Sequence, residues 1–402
     1  MNYNEALAWL NEIPISFNKD YKGYKLTLEK VYHLFNYLNN PHEKLDIIHV
    51  GGTNGKGSTS NIISSILQEH GKNIGVFSSP HILDVRERIK INDDYISEDF
   101  FSEFISKHNK YFTENKLSFF EILFSMSVCY FLKKKTDYVV LEVGLGGRLD
   151  ATNICNPIVS CITNIGFDHK KFLGKTLFSI AREKAGIIKP GIPVVIGEQR
   201  KNLIKFFQKT CDDRLTTMYL TSPLNEVNYN SDLKGIYQRK NISVALKAIS
   251  LLKNIKIDDR LVKKGLKNVK INTRFYGRWD IISHNPTVII DVAHNFDGIK
   301  EILSQIKDYK NQIRIVFGTL DKIDQIKIID LFPKNYIYYF CDLNCERAMN
   351  MNKILVKASQ NKLNFKSFNK SKNALDQAMK DSSKNDVVFV IGSIYLISEI
   401  LT

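Results

Sequence analysis

The sequence has no run approaching the roughly 20 apolar residues that a membrane-spanning helix requires, and Met1 to Leu10 carries no basic segment leading into an apolar one. It therefore reads as a soluble, cytoplasmic protein. Cysteine is scarce: Cys129, Cys155, Cys161, Cys211, Cys341 and Cys345 are scattered, and three of them fall inside apolar strand or helix patterns. Such usage suits buried thiols in a reducing compartment and argues against a disulfide framework. Cys341 and Cys345 lack a second Cys or His pair, so they do not read as a zinc site. Internal repeats, low-complexity tracts and a basic stripe interleaved with aromatics are also missing. The formal net charge of +15 rests on lysine, which outnumbers arginine roughly four to one and forms only one short run, Lys133 to Lys135. Charge so dispersed reads as solvated surface, and no nucleic-acid or membrane partner is expected.

What is present is a chain of 402 residues, 44% hydrophobic, long enough for two or three compact domains. Short apolar runs at Asp46 to Val50, Ile74 to Phe77, Tyr138 to Val143, Ile158 to Ile165 and Pro193 to Gly197 alternate with amphipathic segments. That alternation predicts a doubly wound parallel sheet. From about Cys211 to Gly235 the sequence turns polar and irregular. Helical patterns return at Asn241 to Leu252 and Asp258 to Asn268. A second series of apolar runs then follows at Thr287 to Asp291, Ile313 to Phe317, Tyr336 to Phe340 and Val387 to Ile391. The expected fold class is α/β with two domains. The first, over residues 1–276, is a P-loop domain with a doubly wound parallel sheet; the second, over 277–402, is a smaller Rossmann-like α/β domain.

Residues 48 to 59 read I-H-V-G-G-T-N-G-K-G-S-T, an apolar strand running into a glycine-rich loop and then a helical pattern. Gly52, Gly55 and Gly57 would let backbone N–H groups approach phosphate oxygens, Lys56 adds a point charge, and the helix after Ser58 directs its positive end there. A nucleoside triphosphate is the expected guest. Gly57 separates Lys56 from Ser58, so the hydroxyl arrives one residue later than in the general P-loop.

Ligands of open parallel sheets gather beyond the carboxyl ends of strands. Glu142 ends one apolar run, in the place where a Mg²⁺ ligand belongs beside a P-loop. Asp168-His169 follows the next run on the same edge, which makes Glu142 and His169 a candidate metal pair. Ser79, in S-S-P-H after Ile74 to Phe77, could add a hydroxyl.

The strings G-T-N-G-K-G-S, S-S-P-H, R-E-R-I-K-I-N, F-F-E, L-E-V-G-L-G-G-R-L-D-A-T-N, D-H, R-E-K-A-G-I-I, G-R, D-V-A-H-N and G-S-I-Y occur in this order along nearly the whole chain. In order and approximate spacing they resemble the folylpolyglutamate synthase and dihydrofolate synthase family of the Mur ligase superfamily. Local departures are Phe296 where proline is usual, D-K-I-D for D-K-D, R-F-Y-G-R for R-L-P-G-R, and Thr27 for a glycine.

The resemblance implies an ADP-forming ligase. A substrate carboxylate attacks the γ-phosphate of ATP, and the amine of L-glutamate attacks the resulting acyl phosphate. It implies that Thr53, Asn54, Gly55, Lys56, Gly57 and Ser58 cradle phosphates, that Ser79, Glu142 and His169 bind Mg²⁺, and that Lys184 is carried as a carbamate, an anion able to hold metal. Unmodified, Lys184 would read as a helix-surface residue. Lys56, His169 and Lys184 are the implied catalytic residues. Asn241, Arg278, Asp291 and His294 match nucleotide contacts from across a cleft, whose closure near Arg274 to Trp279 should gate turnover. Tyr24, Lys25 and Leu26, with Ser118, Phe119 and Phe120, would face the pterin, where aromatic faces stack on a flat ring. Arg148 and Asp150 fall on the substrate side. Both glutamate-adding activities are expected, in a monomer.

Three rivals explain less. A muramyl-peptide ligase would be expected to carry a UDP-binding domain ahead of the loop, where this sequence has about fifty residues. A nucleic-acid ATPase leaves the second α/β series and Lys184 without a role. A non-catalytic regulator would be expected to lack Glu142, His169 or Lys56.

Overall fold

The computed structural model describes residues 1–14, 27–221, 229–307 and 309–402. Two sheets organise them. The first holds β1 (Ile47–Gly51), β2 (Ile74–Phe77), β3 (Ile89–Ile91), β4 (Asp94–Tyr95), β5 (Tyr138–Glu142), β6 (Val159–Ile162), β7 (Val194–Ile196) and β8 (Met218–Leu220) in the order β4-β3-β2-β5-β1-β6-β7-β8. Strand β1 is central and buried at every residue, as a parallel strand covered on both faces must be. Its side chains alternate between two cores. Ile47 packs with Phe77, Phe124, Phe131 and Leu141 beneath the helices Glu98–Glu114 and Phe119–Lys133. Ile48 and Val50 pack with Ile62, Ile63, Ile66 and Leu67 of the helix Lys56–Glu69.

The second sheet holds β9 (Asp280–His284), β10 (Thr287–Ile290), β11 (Ile313–Phe317), β12 (Ile337–Cys341), β13 (Asn364–Phe368) and β14 (Val387–Ile391) in the order β13-β12-β11-β14-β10-β9. Its core gathers Ile289, Ile315, Phe317, Tyr338, Phe340 and Phe389 with Ile299, Ile302 and Ile306 from the helix Phe296–Ile306. Among the described residues, no helix is long and apolar enough to cross a membrane. All six cysteines are free thiols.

The sheets depart from an all-parallel expectation at their edges. Strand β3 runs antiparallel to β2 and β4 antiparallel to β3, and β9 runs antiparallel to β10. The stretch expected to be irregular contains β8, three partly exposed residues added parallel to β7. An edge strand this short buries too little to impose an apolar run on the sequence.

Register sets out the site. Val50 lies opposite Glu142, Gly51 opposite Ile162, and Phe77 opposite Leu141. The loops that begin at Gly52, Ser78, Val143 and Thr163 therefore leave the sheet side by side at its carboxyl edge.

Candidate active site

The loop after β1 is possible only with glycine at two places. Gly52 has φ 142°, and a Cβ there would stand 1.8 Å from Thr163 Oγ1. Gly55 has φ 85°, and a Cβ there would stand 2.1 Å from Asn241 Oδ1. Gly55 is also the N-cap of the helix Lys56–Glu69, so no side chain caps its first amides, and they are left to a ligand. The loop is pinned from β6: Asn54 N donates to Asn164 Oδ1 at 2.9 Å, Gly166 N to Thr53 Oγ1 at 2.9 Å, and Thr163 Oγ1 to Asn54 O at 2.6 Å. Lys56 folds back over it, Nζ donating to Thr53 O at 3.1 Å, with no acidic partner at ion-pair distance among the described residues. Within the first helical turn the hydroxyls of Ser58, Thr59 and Ser60 are buried without a hydrogen-bond partner among the described residues. Buried polar atoms are normally satisfied, so these orphans suit a site completed by phosphate or metal oxygens.

Glu142 ends β5 beside the loop, is buried, and accepts from Ser79 N at 3.2 Å. Burial raises its carboxyl pKa, opposed by Lys56, the Ser79 amide, Arg278 and Arg88. Among the described residues no cation pairs with it at ion-pair distance. The structure thus brings Ser79 and Glu142 together, while His169 lies beside its neighbour Asp168. It shares no hydrogen bond with Glu142 and lies 3.8 Å from Asp168. Its side chain is 39% exposed; desolvation by the surrounding protein, helped by Lys322, His294 and Lys56 and opposed by Asp168, lowers its imidazole pKa. Among the described residues no three His, Cys, Asp or Glu side chains gather as a metal site. Glu142, the Ser79 hydroxyl and the orphan Ser58 hydroxyl fit a Mg²⁺ ion that keeps several waters and takes phosphate oxygens.

Lys184 is not on a helix surface. It is buried and donates from Nζ to Gly52 O at 2.7 Å. Burial and the charge of Lys56 lower its pKa to about 7, against the pull of Asp168 and Asp150.

The second lobe reaches this cluster through Asp168. Its carboxylate lies 3.2 Å from His294 Nε2 and accepts from Lys322 Nζ at 3.2 Å and Asn295 Nδ2 at 3.3 Å. Burial alone would raise the Asp168 pKa, but the His294 hydrogen bond and the charge of Lys322 carry it well below the ordinary value. Asn241 packs its amide against Gly55, and Arg278 holds its guanidinium 5.2 Å from the Phe275 ring, with no ion pair among the described residues. Asp291 is buried, and both its oxygens are already used: it accepts from Ala293 N at 2.8 Å, from Trp279 N at 3.0 Å and from the Tyr237 hydroxyl.

On the other side, Ser118 and Glu121 close a capping box that starts the helix Phe119–Lys133. Phe119 lies in the core, with the Arg88 guanidinium 5.2 Å from its ring, and Phe120 lies against Gly144 and 5.4 Å from Phe77. Asp150 is buried and caps its own loop, accepting from Leu145 N at 2.8 Å and Thr152 N at 3.0 Å. Arg148 is exposed and paired with Glu183 at 2.9 Å. Tyr24, Lys25 and Leu26 lie outside the described residues.

Sequence reasoning did not single out Asp168, Asn295, Lys322 or Arg88. Arg88 is enclosed, donates from Nε to His81 Nδ1 at 2.8 Å, and has its pKa lowered to about 10 by burial. The signals available were the D-H, D-V-A-H-N, D-K-I-D and R-E-R-I-K-I-N strings.

A glycine-rich phosphate loop, a buried carboxylate at the adjacent strand end and a second α/β lobe bonded across the loop define an ATP-dependent ligase of the Mur type. Residues 50–278 match the Mur ligase middle domain, and 277–394 the Mur ligase glutamate ligase domain. The chain belongs to the dihydrofolate synthase/folylpolyglutamate synthase family of these ligases. It is 31% identical over 434 residues to the Bacillus subtilis dihydrofolate synthase/folylpolyglutamate synthase, covering 99% of this chain and 98% of the relative. It is 27% identical to a probable bifunctional folylpolyglutamate synthase/dihydropteroate synthase of Haloferax volcanii, aligning over its whole length but spanning only 50% of that relative. The solved bifunctional folylpolyglutamate synthase/dihydrofolate synthase of Yersinia pestis, complexed with AMPPNP and Mn, superposes with a TM-score of 0.87 at 26% identity, covering 100% of this chain and 97% of the other.

Proposed function

We propose that this protein joins L-glutamate to the carboxylate of dihydropteroate and of reduced folates, converting ATP to ADP and phosphate. The observation that carries the reading is the meeting, at one sheet edge, of an uncapped helix start with Lys56 and Glu142, neither of which has an ion-pair partner among the described residues. A carboxylate does not condense with an amine unaided at neutral pH. Its oxygen attacks the γ-phosphorus of ATP and ADP leaves; the amine of glutamate then attacks the acyl carbon, phosphate leaves, and the amine gives up a proton. Phosphoryl transfer needs alignment and neutralisation of charge. Backbone amides of Gly52 to Ser58 and the Lys56 ammonium would hold phosphate oxygens, with Asn241, Arg278 and His294 closing from the other side. Glu142, Ser79 and Ser58 would hold Mg²⁺, which neutralises phosphate charge when bound. His169, with Glu142, would contribute to metal binding near the acyl phosphate.

Lys184 belongs to the same reading as a carbamate. A buried amine titrating near neutrality has the uncharged form that carbon dioxide requires, and the anion so formed would face the phosphate loop. The pterin would lie between the segment containing Tyr24 to Leu26 and the Phe119–Phe120 edge. The reading divides the chain into an ATP-binding domain over 1–276 and a C-terminal domain over 277–402, in a cytoplasmic monomer.

The test is ADP release from purified protein with MgATP and L-glutamate, with dihydropteroate in one arm and tetrahydrofolate in the other. Release in both arms is expected. Release in one arm reduces the proposal to that activity. Release that does not depend on glutamate overturns it.

A further inference from the structure

We propose that Tyr237 is a positioning residue for this reaction: its phenol, bonded to Asp291, fixes the turn at Trp279 that aims Arg278 into the cleft. The proposal rests on the ligase reading only for the reaction it serves; the arrangement itself is geometric.

Three residues in the six from Arg274 to Trp279 have left-handed backbone: Arg274 at φ 44°, Gly277 at 75° and Trp279 at 55°. Glycine takes that conformation freely, whereas a bulky residue such as tryptophan keeps it only where its surroundings over-determine it. Around Trp279 they do. Its ring is buried 5.4 Å from Phe389, and its N–H donates to Asp291 Oδ2 at 3.0 Å. On the preceding residues, the amides of Gly277 and Arg278 converge on Asp280 Oδ2. Asp291 therefore carries one side of the turn, and among the described residues it has no cation at ion-pair distance to hold it in place. What holds it is the Ala293 amide on Oδ1 and, on the same Oδ2 that receives Trp279, the hydroxyl of Tyr237.

Tyr237 does not come from the second lobe. It is the N-cap of the helix Gln238–Ser250, whose Val244, Ala245 and Ala248 pack in the first-lobe core, while the Tyr237 ring packs against the core of the second. One turn further along the same helix, Asn241 lies against Gly55 of the phosphate loop. A single helix end thus touches the nucleotide loop with one side chain and the interlobe turn with another. Arg278, immediately before Trp279, has no ion pair among the described residues, and its charge acts on both Glu142 and Asp291. Loss of the phenol leaves Asp291 short of a donor, and the turn free to misplace that guanidinium.

The experiment uses the full chain. Tyr237→Phe removes one oxygen and keeps the ring. It should lower kcat by about 10- to 100-fold, as small misplacements of catalytic groups do, with little change in KM for the pteroate or folate substrate or in melting temperature. In an Arg278→Lys background the same change should cost less than about twofold, because both act through one guanidinium. Parent-like kcat in Tyr237→Phe, or an undiminished loss in the Arg278→Lys background, overturns the proposal. A second readout needs no turnover. Trp9 and Trp279 are the only tryptophans, and Trp9 packs on Phe112, in the first-lobe core. In Trp9→Phe protein, saturating MgAMPPNP should shift Trp279 emission, and Tyr237→Phe should abolish the shift. An identical shift in both proteins, or none in either, overturns the proposal. Absence of turnover in the parent would instead defeat the ligase reading, with the fluorescence arms still deciding the role of Tyr237.

Discussion

Asn54 of the phosphate loop and Asn295 of the second lobe exchange two amide hydrogen bonds, of 3.1 and 2.7 Å, across the cleft. Asn295 also caps the helix Phe296–Ile306 through Gly298 N at 2.9 Å. Lobe contact and the shape of the loop therefore share atoms. Asn54→Ala should raise KM for ATP by about tenfold, the worth of one or two partly buried hydrogen bonds. Asn295→Ala should do the same and, having lost a cap worth about 1 kcal/mol, also melt a few degrees lower. ATP titrations and thermal melts of the two variants check both statements. Equal melting temperatures would remove the cap argument.

Lys56→Ala should abolish glutamate addition and leave the fold intact. Among the described residues the ammonium bonds only to Thr53 O and has no acidic partner, so its loss breaks no ion pair there. Its absence from a phosphate site should cost about 10²- to 10³-fold in kcat/KM. Wild-type turnover in folded Lys56→Ala protein would refute the assignment.

Magnesium titrations should separate the metal candidates. Glu142→Gln should raise the Mg²⁺ needed for half-maximal rate most, since it removes the one full charge, and Ser79→Ala should raise it less. His169→Ala should lower kcat with a smaller shift in the Mg²⁺ curve, because its ring sits with Asp168 rather than with Glu142. Superimposable curves for Glu142→Gln and the parent would exclude Glu142 as a ligand.

Lys184 gives a signed pH effect. Its folded-state pKa is about 7, below the ordinary lysine value, so in the window above 7 the unfolded chain binds a proton that the folded chain does not. The burial cost is complete below pH 7 and fades as pH rises toward the unfolded value. Parent stability in urea should therefore climb across that window relative to Lys184→Met, and parallel curves would contradict the shift. Lys184→Ala should lose turnover that high bicarbonate or a short carboxylic acid partly restores. An activity within a small factor of the parent would exclude a catalytic carbamate.

The parts of the site carried by backbone constraint were readable in the sequence. Gly52 and Gly55 stand where no side chain fits, and Glu142 ends an apolar run whose place beside β1 follows from sheet logic. Residues whose role depends on distant partners were not. Asp168 gains its role from His294, Asn295 and Lys322, more than 120 positions away. Asp150 and Ser118 occur in recognisable strings, yet their side chains serve their own local backbone. Lys184 shows the limit most clearly. Helical spacing cannot tell a buried lysine from an exposed one, and only the packed loop reveals that its amine reaches Gly52.

The helix Lys56–Glu69 is buried along most of its length, wedged between the sheet and the helices Gln238–Ser250 and Asp259–Lys267. Its amides can exchange with solvent only when the whole lobe opens, so they should be among the slowest in the molecule. The phosphate cradle then has no folding step of its own to complete when a nucleotide arrives. A core mutation remote from the cleft will dilute the fraction of competent molecules and leave the affinity of each survivor unchanged.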